Sequence, residues 1–234
     1  MSKCARSQAL RTQGSLKIKC WEGELNITFH KDFFSEDPTL PVIMKGAGIQ
    51  RYYYTFDMSQ GQIEYLKEDE YLEKCCNAEK SHHHEIDRIA MQGMTGANDK
   101  IRLLMSIVPA GMYLGNSCNY ILPSENMPLL CLLGLFNSKL ANFFFRSFST
   151  NSNVNGYEVE AIPICDMPKT ISKIITGNVN QILAEKEEKH DADTQSLEDE
   201  IDSLVYHLYD LTYDEVLIVD PNPPFTREEY ESKQ

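Results

Sequence analysis

Cysteine and histidine side chains cluster in one polar stretch of the chain, and they are the first candidates for chemistry. Cys75 and Cys76 are followed by His82, His83 and His84. Thiolate sulfur and neutral imidazole nitrogen are the usual ligands of zinc. However, adjacent cysteines rarely fit one tetrahedral site, and the spacing matches no Cys-x-x-Cys pattern. We therefore predict no metal site and interpret these residues as part of a solvated loop.

A tetrapeptide near the end of the chain, Asn222-Pro223-Pro224-Phe225, matches the signature with which amino-methyltransferases hold an adenine amino group. It follows a possible strand at 216–219. Only nine residues remain after it, and Gly46-Ala47-Gly48 lacks the acidic partner and following helix that a cofactor loop needs. The acidic run at 68–70 is typical of a solvated face. We therefore predict no catalytic residue in this chain; a small methyltransferase using Asn222 is the least favoured alternative.

Amide and guanidinium side chains suited to base recognition occur in three segments. Asn and Gln can pair bidentately with adenine and Arg with guanine, although most polar contacts to DNA go to phosphates. The loop at 149–156 is rich in Asn, and the segment 45–52 has two glycines that allow close approach of the backbone. The third segment, 88–102, lies in the predicted strand meander and holds Arg88, Gln92 and Arg102. The alternatives are Asx turns, a surface hairpin and surface salt bridges. The predicted DNA contacts are Lys45, Gln50, Arg51, Tyr52, Arg88, Gln92, Arg102, Lys139, Asn151, Asn153 and Asn155.

The charge of the chain argues against a general nucleic-acid binder. The net charge is −13, from 22 basic and 35 acidic residues, whereas such binders usually have a basic face. The acidic excess is concentrated at 171–234, which holds 5 basic and 16 acidic residues. The span 88–155 has five basic residues against two acidic ones. Such a basic island can bind DNA weakly, and strong binding would need a more basic neighbour.

Length and composition indicate a soluble globular protein. The 234 residues are 42% apolar, and no stretch approaches the roughly 20 apolar residues that cross a bilayer. The N-terminus lacks the apolar core of a secretory signal. Seven cysteines without regular spacing read as reduced thiols. We therefore expect a cytoplasmic protein that does not bind membranes.

The first two thirds of the chain show short segments typical of strands. Alternation at 16–34 predicts a hairpin that turns at residues 22–24, and 40–54 reads as extended. The polar stretch 59–87 predicts an exposed insertion or a short helix. A meander of strands is then predicted from four apolar segments divided by Gly, Asn and Pro: 88–94, 101–107, 112–114 and 120–122.

Helical patterns dominate after Ser124. An apolar run to Phe145 predicts one buried helix, and 157–164 reads as another extended piece. Beyond Pro168, apolar residues repeat at helical spacing in two stripes. Thr212 and Glu215 form a capping box before a last apolar stretch. The prolines at 221–224 predict the end of the fold, followed by a mobile tail.

The order of these elements resembles the TaqI-like C-terminal specificity domain of adenine-specific DNA methyltransferases and fused restriction–methylation enzymes. The likeness spans roughly 38–218. Four segments carry it: Pro41–Tyr52, Arg88–Ala90 through Leu114–Ser117, Leu133–Leu140, which is similar to the family's Leu-Leu-Asn-Ser-Lys-Leu helix, and Glu200–Thr212, which is close to its closing helix. The catalytic half of such enzymes is missing from the sequence. The chain is therefore expected to be a fragment or a stand-alone specificity subunit.

The resemblance implies an α+β fold in four parts. These are a lead-in with a hairpin (1–37), a β-rich target-recognition subdomain with one buried helix (38–167), a C-terminal helical subdomain (168–218) and the tail (219–234). It also implies a non-catalytic domain that recognises double-stranded DNA for an adenine-N6 methyltransferase, and possibly an endonuclease, in the same polypeptide or in another subunit. S-adenosylmethionine, and possibly Mg²⁺, would bind there, and no cofactor is expected in this chain.

One alternative belongs to a different class. The acidic helices at 170–212 are also compatible with a protein-interaction or dimerisation module. An exposed apolar stripe formed by Ile174, Ile182, Leu204 and Leu208 would favour that function.

Overall fold

Two small sheets and a group of helices form the fold of the computed structural model, which describes residues 16–57, 62–76, 78–125 and 127–232. The first fifteen residues of the predicted lead-in lie outside these ranges. The fold is α+β, as predicted. In the described part of the chain, no single helix is long and apolar enough to span a membrane; α2 and α3, defined below, pass that test only as a pair bent by 61°.

The central sheet is antiparallel, with strand order β1–β10–β7–β8. Its strands are β1 (Cys20–Glu22), β7 (Arg88–Gln92), β8 (Met105–Val108) and β10 (Cys118–Ile121). Three of the four segments predicted as a meander, 88–94, 101–107 and 120–122, thus overlap strands of this sheet. The predicted hairpin at 16–34 does not form, because Cys20–Glu22 pairs with Ile121–Asn119 at the other end of the domain.

A second sheet has the order β2–β6–β3–β9. It consists of β2 (Phe34–Ser35), β3 (Val42–Met44), β6 (Glu64–Leu66) and β9 (Tyr113–Leu114). β3 and β9 pair in parallel, so the fourth meander segment belongs to this sheet. A separate two-stranded ribbon joins β4 (Ile49–Gln50) to β5 (Tyr53–Tyr54). Helix α1 (Glu68–Cys75) lies within 59–87, the stretch for which the sequence predicts an exposed insertion or a short helix.

The buried apolar run forms two helices rather than one. α2 (Leu129–Asn137) is buried along most of its length, and α3 (Lys139–Phe148) follows after a sharp bend. The bend falls at Ser138, whose backbone is extended and whose Oγ accepts a hydrogen bond from the Ala141 N–H. Serine is a preferred N-cap residue, because its oxygen satisfies an otherwise unpaired helix N–H. The single-helix prediction missed this stop within an apolar pattern.

After α3, the described part of the chain contains five more α-helices: α4 (Gly156–Glu160), α5 (Lys169–Glu188), α6 (Gln195–Leu208), α7 (Tyr213–Val219) and α8 (Arg227–Glu231). The helix at Gly156–Glu160 replaces the predicted extended piece, since Asn155 and Glu158 form a capping box that starts it. The predicted capping box at Thr212 is present and starts α7. This helix also occupies the place of the possible strand before Asn222.

The central helix α2 packs closely against α5. An added Cβ at Gly134 would lie 2.7 Å from Ile175 Cγ2 and 3.0 Å from Val179 Cγ2, so glycine permits the close approach of the two helices. One continuous apolar core includes these residues together with side chains from β7, β8 and α6. The helical C-terminal part therefore forms a common core with the sheet.

The C-terminal tail belongs to the same packed structure. Tyr230 is 1% exposed. Its ring stacks on His207, and its hydroxyl donates a 2.8 Å hydrogen bond to the Leu211 carbonyl. The prediction of a mobile tail from residue 219 onward was wrong for the described residues up to 232. The prolines were read as the end of the fold, but a capping box at Thr226 starts a further helix.

Candidate nucleic-acid interface

Segments from all three predicted DNA-reading regions meet where β7 ends. The Gln92 Nε2 donates a 2.7 Å hydrogen bond to the Ile49 carbonyl. Ser117 connects the other backbones, since its Oγ accepts from the Gly46 N–H at 2.9 Å and its carbonyl accepts from the Gly93 N–H at 2.8 Å. An added Cβ at Gly46 would lie 2.1 Å from the Ser117 carbonyl oxygen, so this approach requires glycine.

The Asn-rich loop completes this junction. Its Val154 N–H donates to the Gly93 carbonyl at 3.0 Å, and its Ser152 carbonyl accepts from the Thr95 N–H at 2.8 Å. Met94 and Asn153 form an isolated antiparallel bridge. The segments at 93–95 and 152–154 therefore form one short ribbon, although the chain separates them by more than fifty residues.

The ribbon leaves two asparagine side chains at the surface. Asn151 and Asn153 are exposed, and the only bond that ties them together is an Asx turn in which Asn151 Oδ1 accepts from the Asn153 N–H at 2.8 Å. Asn155 is committed to the cap of α4, because its Nδ2 donates to Glu158 Oε2 at 2.9 Å. Of the three predicted asparagines, the first two present amide groups that an incoming ligand can reach.

Arg102 holds this loop from beneath. Its Nη2 donates to the carbonyls of Asn151 at 2.8 Å and Asn153 at 3.3 Å, and its Nε donates to Thr95 Oγ1 at 2.7 Å. Its guanidinium also lies over the Phe145 ring, 5.3 Å from the centroid. Arg102 is only 1% exposed. It was predicted to contact DNA as a surface side chain, and the structure instead gives it the role of positioning the loop.

Arg88 has a purely structural role. It is 0% exposed, and its guanidinium pairs with the equally buried carboxylate of Glu24. Its Nη2 also donates to the Met112 carbonyl at 2.7 Å. A side chain enclosed in this way does not reach a duplex, so the prediction of a DNA contact was wrong. The residue faces inward because β7 is the third strand of a four-stranded sheet and is covered on both faces.

Arg51 and Tyr52 also turn inward, at the tip of the β4–β5 ribbon. Arg51 forms an ion pair with Glu198 of α6, with Nε and Nη2 at 2.7 and 2.5 Å from Oε2. Its Nη1 donates to the Asn137 carbonyl. Tyr52 adopts a positive φ of 67° and is 1% exposed. Both were predicted to contact DNA, and both instead attach the ribbon to the helices.

Lys139 is enclosed by carboxylates. Its Nζ lies 2.9 Å from Asp220, 3.1 Å from Asp199 and 3.4 Å from Asp202. Burial opposes the charge of Lys139, but these three carboxylates raise its pKa above the ordinary value. A cation neutralised by three acidic groups is not available to a phosphate. The alternative structural role considered for the Asn-Ser-Lys motif therefore applies to Lys139.

The remaining predicted residues are partly exposed and engaged in local contacts. Lys45 pairs with Glu64 at 2.7 Å and donates to the Gln62 carbonyl at 3.0 Å. The Gln50 Nε2 donates to the Ala47 carbonyl at 3.0 Å. These bonds, together with that of Gln92 to Ile49, shape the 45–52 segment and leave less of its polar surface free than the sequence indicated.

Neither a protein-family model nor a curated protein sequence matches the chain. Among solved structures, the fold is similar to that of the Type IIL restriction-modification enzyme MmeI, which was determined in complex with DNA. The TM-score is 0.60 at 10% sequence identity, over 93% of this chain and 36% of that enzyme. The chain therefore shares its fold with part of that enzyme. It spans about a third of that enzyme's length.

Sequence reasoning did not single out Asn142, which anchors the loop before Arg102. Its Oδ1 accepts from the Arg102 N–H at 2.7 Å, and its Nδ2 donates to the Lys100 carbonyl at 2.7 Å. The loop 96–101 is thereby fixed to α3, beside the Asn-rich loop. An asparagine on the polar face of an amphipathic helix gives no sequence signal for such a role.

Arg146 was likewise counted only as part of the basic island. It lies near the end of α3 and is exposed, as is Lys100 on the neighbouring loop. Arg102 and Arg146 both lie at the start of the Asn-rich loop, where they line one depression with Ser149. The acidic residue nearest in sequence, Asp99, accepts a 2.8 Å hydrogen bond from the Gly96 N–H with its carboxylate.

The cysteine and histidine stretch has other partners than a metal. His83 contacts the Trp21 ring edge-on at 4.8 Å, and His84 stacks on Tyr113 at 4.1 Å. Within residues 16–57, 62–76, 78–125 and 127–232, no group of three or more Cys, His, Asp or Glu side chains is arranged to hold a metal ion.

Proposed function

We propose that this chain is a DNA-recognition domain of a restriction–modification enzyme and that it belongs to the TaqI-like specificity domains. The observation that carries the proposal is the shared fold over 93% of the chain with an enzyme determined in complex with DNA. The convergence of the predicted reading segments at the end of β7 supports it.

In this proposal, the Asn-rich loop supplies the base contacts. Asn151 and Asn153 present exposed amides of the kind that pair with the two hydrogen-bonding groups of adenine in the major groove. Arg102 and the ribbon with 93–95 hold their backbones in place. A loop fixed from below by four hydrogen bonds loses less conformational entropy on binding than a free loop.

The chemistry would take place outside this chain. We propose that an adenine-N6 methyltransferase, and possibly an endonuclease, lies in the same polypeptide or in a separate subunit of a cytoplasmic bacterial enzyme. S-adenosylmethionine, and possibly Mg²⁺, would bind to that part. It would also flip the target adenine out of the stack and supply most of the positive charge that a chain with a net charge of −13 cannot provide.

The alternative of an interaction module required an exposed apolar stripe on the acidic helices. Ile182 is 0% exposed, and Leu204 and Leu208 pack against the core; Ile174 alone of the four is exposed, at 42%. The stripe therefore serves the interior of this domain, and no observation favours docking by these helices.

Selection from a pool of randomised duplexes tests the proposed function. The immobilised chain is incubated with the pool at low salt, and the bound duplexes are amplified and sequenced through several rounds. We expect enrichment of a shared short site, and we expect Asn151→Ala with Asn153→Ala to relax the preference at one or two of its positions. Sequences that remain random, with equal affinity for enriched and starting duplexes, would refute the proposal.

A further inference from the structure

A depression in the surface lies beside the Asn-rich loop, at the C-terminal end of α3. It is lined by Ala97, Arg102, Phe143, Arg146, Ser147 and Ser149. Two arginines and two serines thus surround a single concavity in a strongly acidic chain. No carboxylate is among the lining residues.

The two arginines of the depression differ from all other arginines in the described part of the chain. Arg51, Arg88 and Arg227 each form an ion pair with a carboxylate. Arg102 and Arg146 form none within the described residues, although acidic residues outnumber basic ones by 35 to 22. Among the described arginines, the two without a carboxylate partner are therefore found together, in the lining of one depression.

Two buried polar groups of the depression also lack a partner. Arg102 is 1% exposed and Ser149 is 8% exposed, yet no hydrogen-bond partner is found for Arg102 Nη1 or Ser149 Oγ in the described structure. A buried donor without a partner destabilises the folded state. Arg102 Nε and Nη2 are already bonded to the protein, so the free nitrogen is held in a fixed position. An acceptor with several oxygens would satisfy both groups.

The surroundings oppose the charge of Arg102, which an anion would relieve. Burial lowers the pKa of Arg102, and the nearby charge of Arg146 lowers it further. The carboxylates of Glu158 and Asp99 act in the opposite direction, and both already accept backbone hydrogen bonds, from Asn155 and from Gly96. Burial is the largest of these causes, and a bound anion would offset the cost of holding this charge away from water.

We infer that this depression binds a phosphate group and that the phosphate is a phosphodiester of the DNA strand read by the adjacent loop. The inference rests on the proposed function for the source of the phosphate. Arg146 and the Ser149 hydroxyl contact the phosphate oxygens, with Arg102 fixed behind them; the Ser147 hydroxyl already donates to the Phe144 carbonyl at 2.7 Å. Phe143 lies at the rim and is 39% exposed. Its ring offers an apolar surface to the sugar of a phosphodiester, and inorganic phosphate has no such sugar.

With this site, the domain would make the two kinds of contact that protein–DNA interfaces commonly combine. Phosphate contacts fix the register of the protein on the duplex, whereas base contacts specify the sequence. Arg102 belongs to both parts, because its Nη2 bonds to the carbonyls of Asn151 and Asn153. The phosphate would therefore set the position of the amides relative to the bases.

The test measures duplex affinity by fluorescence anisotropy as a function of salt for the wild-type chain, Arg146→Gln and Arg146→Lys. Loss of one phosphate contact lowers the salt slope by about 0.9, so between about 50 and about 200 mM salt the loss of affinity should be roughly threefold smaller for Arg146→Gln. The effect should be equal for all duplex sequences. Arg146→Lys should restore the slope, since it keeps the charge. Arg227→Gln, on the distant α8, is the matched control and should leave the slope unchanged.

The outcomes separate the site from the proposed function. A wild-type chain that binds DNA with a slope unaffected by Arg146→Gln would overturn the phosphate site and leave the proposed function intact. Titration with sodium phosphate, followed by NMR, is the second arm. Binding of phosphate that Arg146→Gln abolishes, without DNA binding by the wild type, would support the depression as an anion site and overturn DNA as its source. Absence of both would overturn the inference entirely. Thermal unfolding of each variant confirms that the fold is retained.

Discussion

Replacing Glu24 by glutamine should strongly destabilise the domain. Glu24 and Arg88 both have side chains with 0% exposure. Glu24 Oε1 accepts from Arg88, and Oε2 accepts from the Leu114 N–H at 3.0 Å. Glutamine keeps the shape and one acceptor but leaves the guanidinium of Arg88 as a buried, uncompensated cation. Breaking a buried ion pair in this way costs about 3–5 kcal/mol.

Urea denaturation followed by the fluorescence of Trp21, the single tryptophan, measures this cost. With a denaturant slope of about 1–3 kcal/mol/M, the midpoint should fall by about 1–2 M or more. Glu22→Gln, two residues earlier and exposed, is the control and should shift the midpoint by little. The double variant Glu24→Gln with Arg88→Met should recover part of the loss, because it removes the unpaired charge.

The same variants decide what Arg88 does. If its role is structural, the double variant binds DNA as the wild type does wherever both are folded. Glu24→Gln with the stability of Glu22→Gln would refute the reasoning, because it would mean that the pair is solvated or dispensable. A selective loss of DNA affinity in the double variant would restore Arg88 as a contact residue.

Three further predictions follow from the packing of the helices. Gly134→Ala should destabilise the fold by about 1–3 kcal/mol, because its Cβ would meet Ile175 at 2.7 Å. Gly177→Ala is the control: its Cβ would have nothing within 4 Å, so it should stabilise the fold by up to about 1 kcal/mol. Thermal unfolding compares the two variants, and equal effects would contradict the close packing of α2 on α5. Burial raises the pKa of Asp202 to about 6 against the opposing effects of Lys139, so the folded state keeps this proton longer than the unfolded state. The associated stability is present below the ordinary value of 3.8 and is lost as the pH rises through 6. Relative to Asp202→Asn, the wild type should therefore lose up to about 3 kcal/mol between these pH values, and parallel pH profiles in chemical denaturation would exclude this. Tyr230→Ala should destabilise the fold by about 3 kcal/mol or more, while an unchanged melting temperature would show that the tail is not part of the core.

Periodicity in the sequence predicted those elements that a single face of apolar residues defines. The long helices α5 and α6, the capping box at Thr212 and the strand at Arg88–Gln92 all follow from local patterns. The errors have local physical causes of a different kind. Ser138 caps a helix inside an apolar run, and Asn155 with Glu158 starts a helix in a stretch of extended appearance. In both places a side-chain hydrogen bond to the backbone outweighs the apolar pattern.

The candidate interface was only partly accessible to sequence reasoning. The Asn-rich loop was identified by composition, and the structure leaves Asn151 and Asn153 exposed. The ion pairing of Arg51, Arg88 and Lys139 was not predictable, because each is neutralised by a carboxylate more than sixty residues away in the chain. The type of side chain predicts which residues could contact DNA. Ion pairs between residues distant in the sequence decide which of these side chains remain available for such a contact.

Amide hydrogen exchange of the chain, with and without a duplex enriched by selection, tests the central claim most directly. The account predicts slower exchange on DNA binding at 93–102 and 146–155, where the ribbon, the Asn-rich loop and the end of α3 lie together, and unchanged exchange in α7 and α8. Protection confined to the acidic helices, with the Asn-rich loop exchanging at the same rate in both states, would contradict the assignment of this surface to DNA.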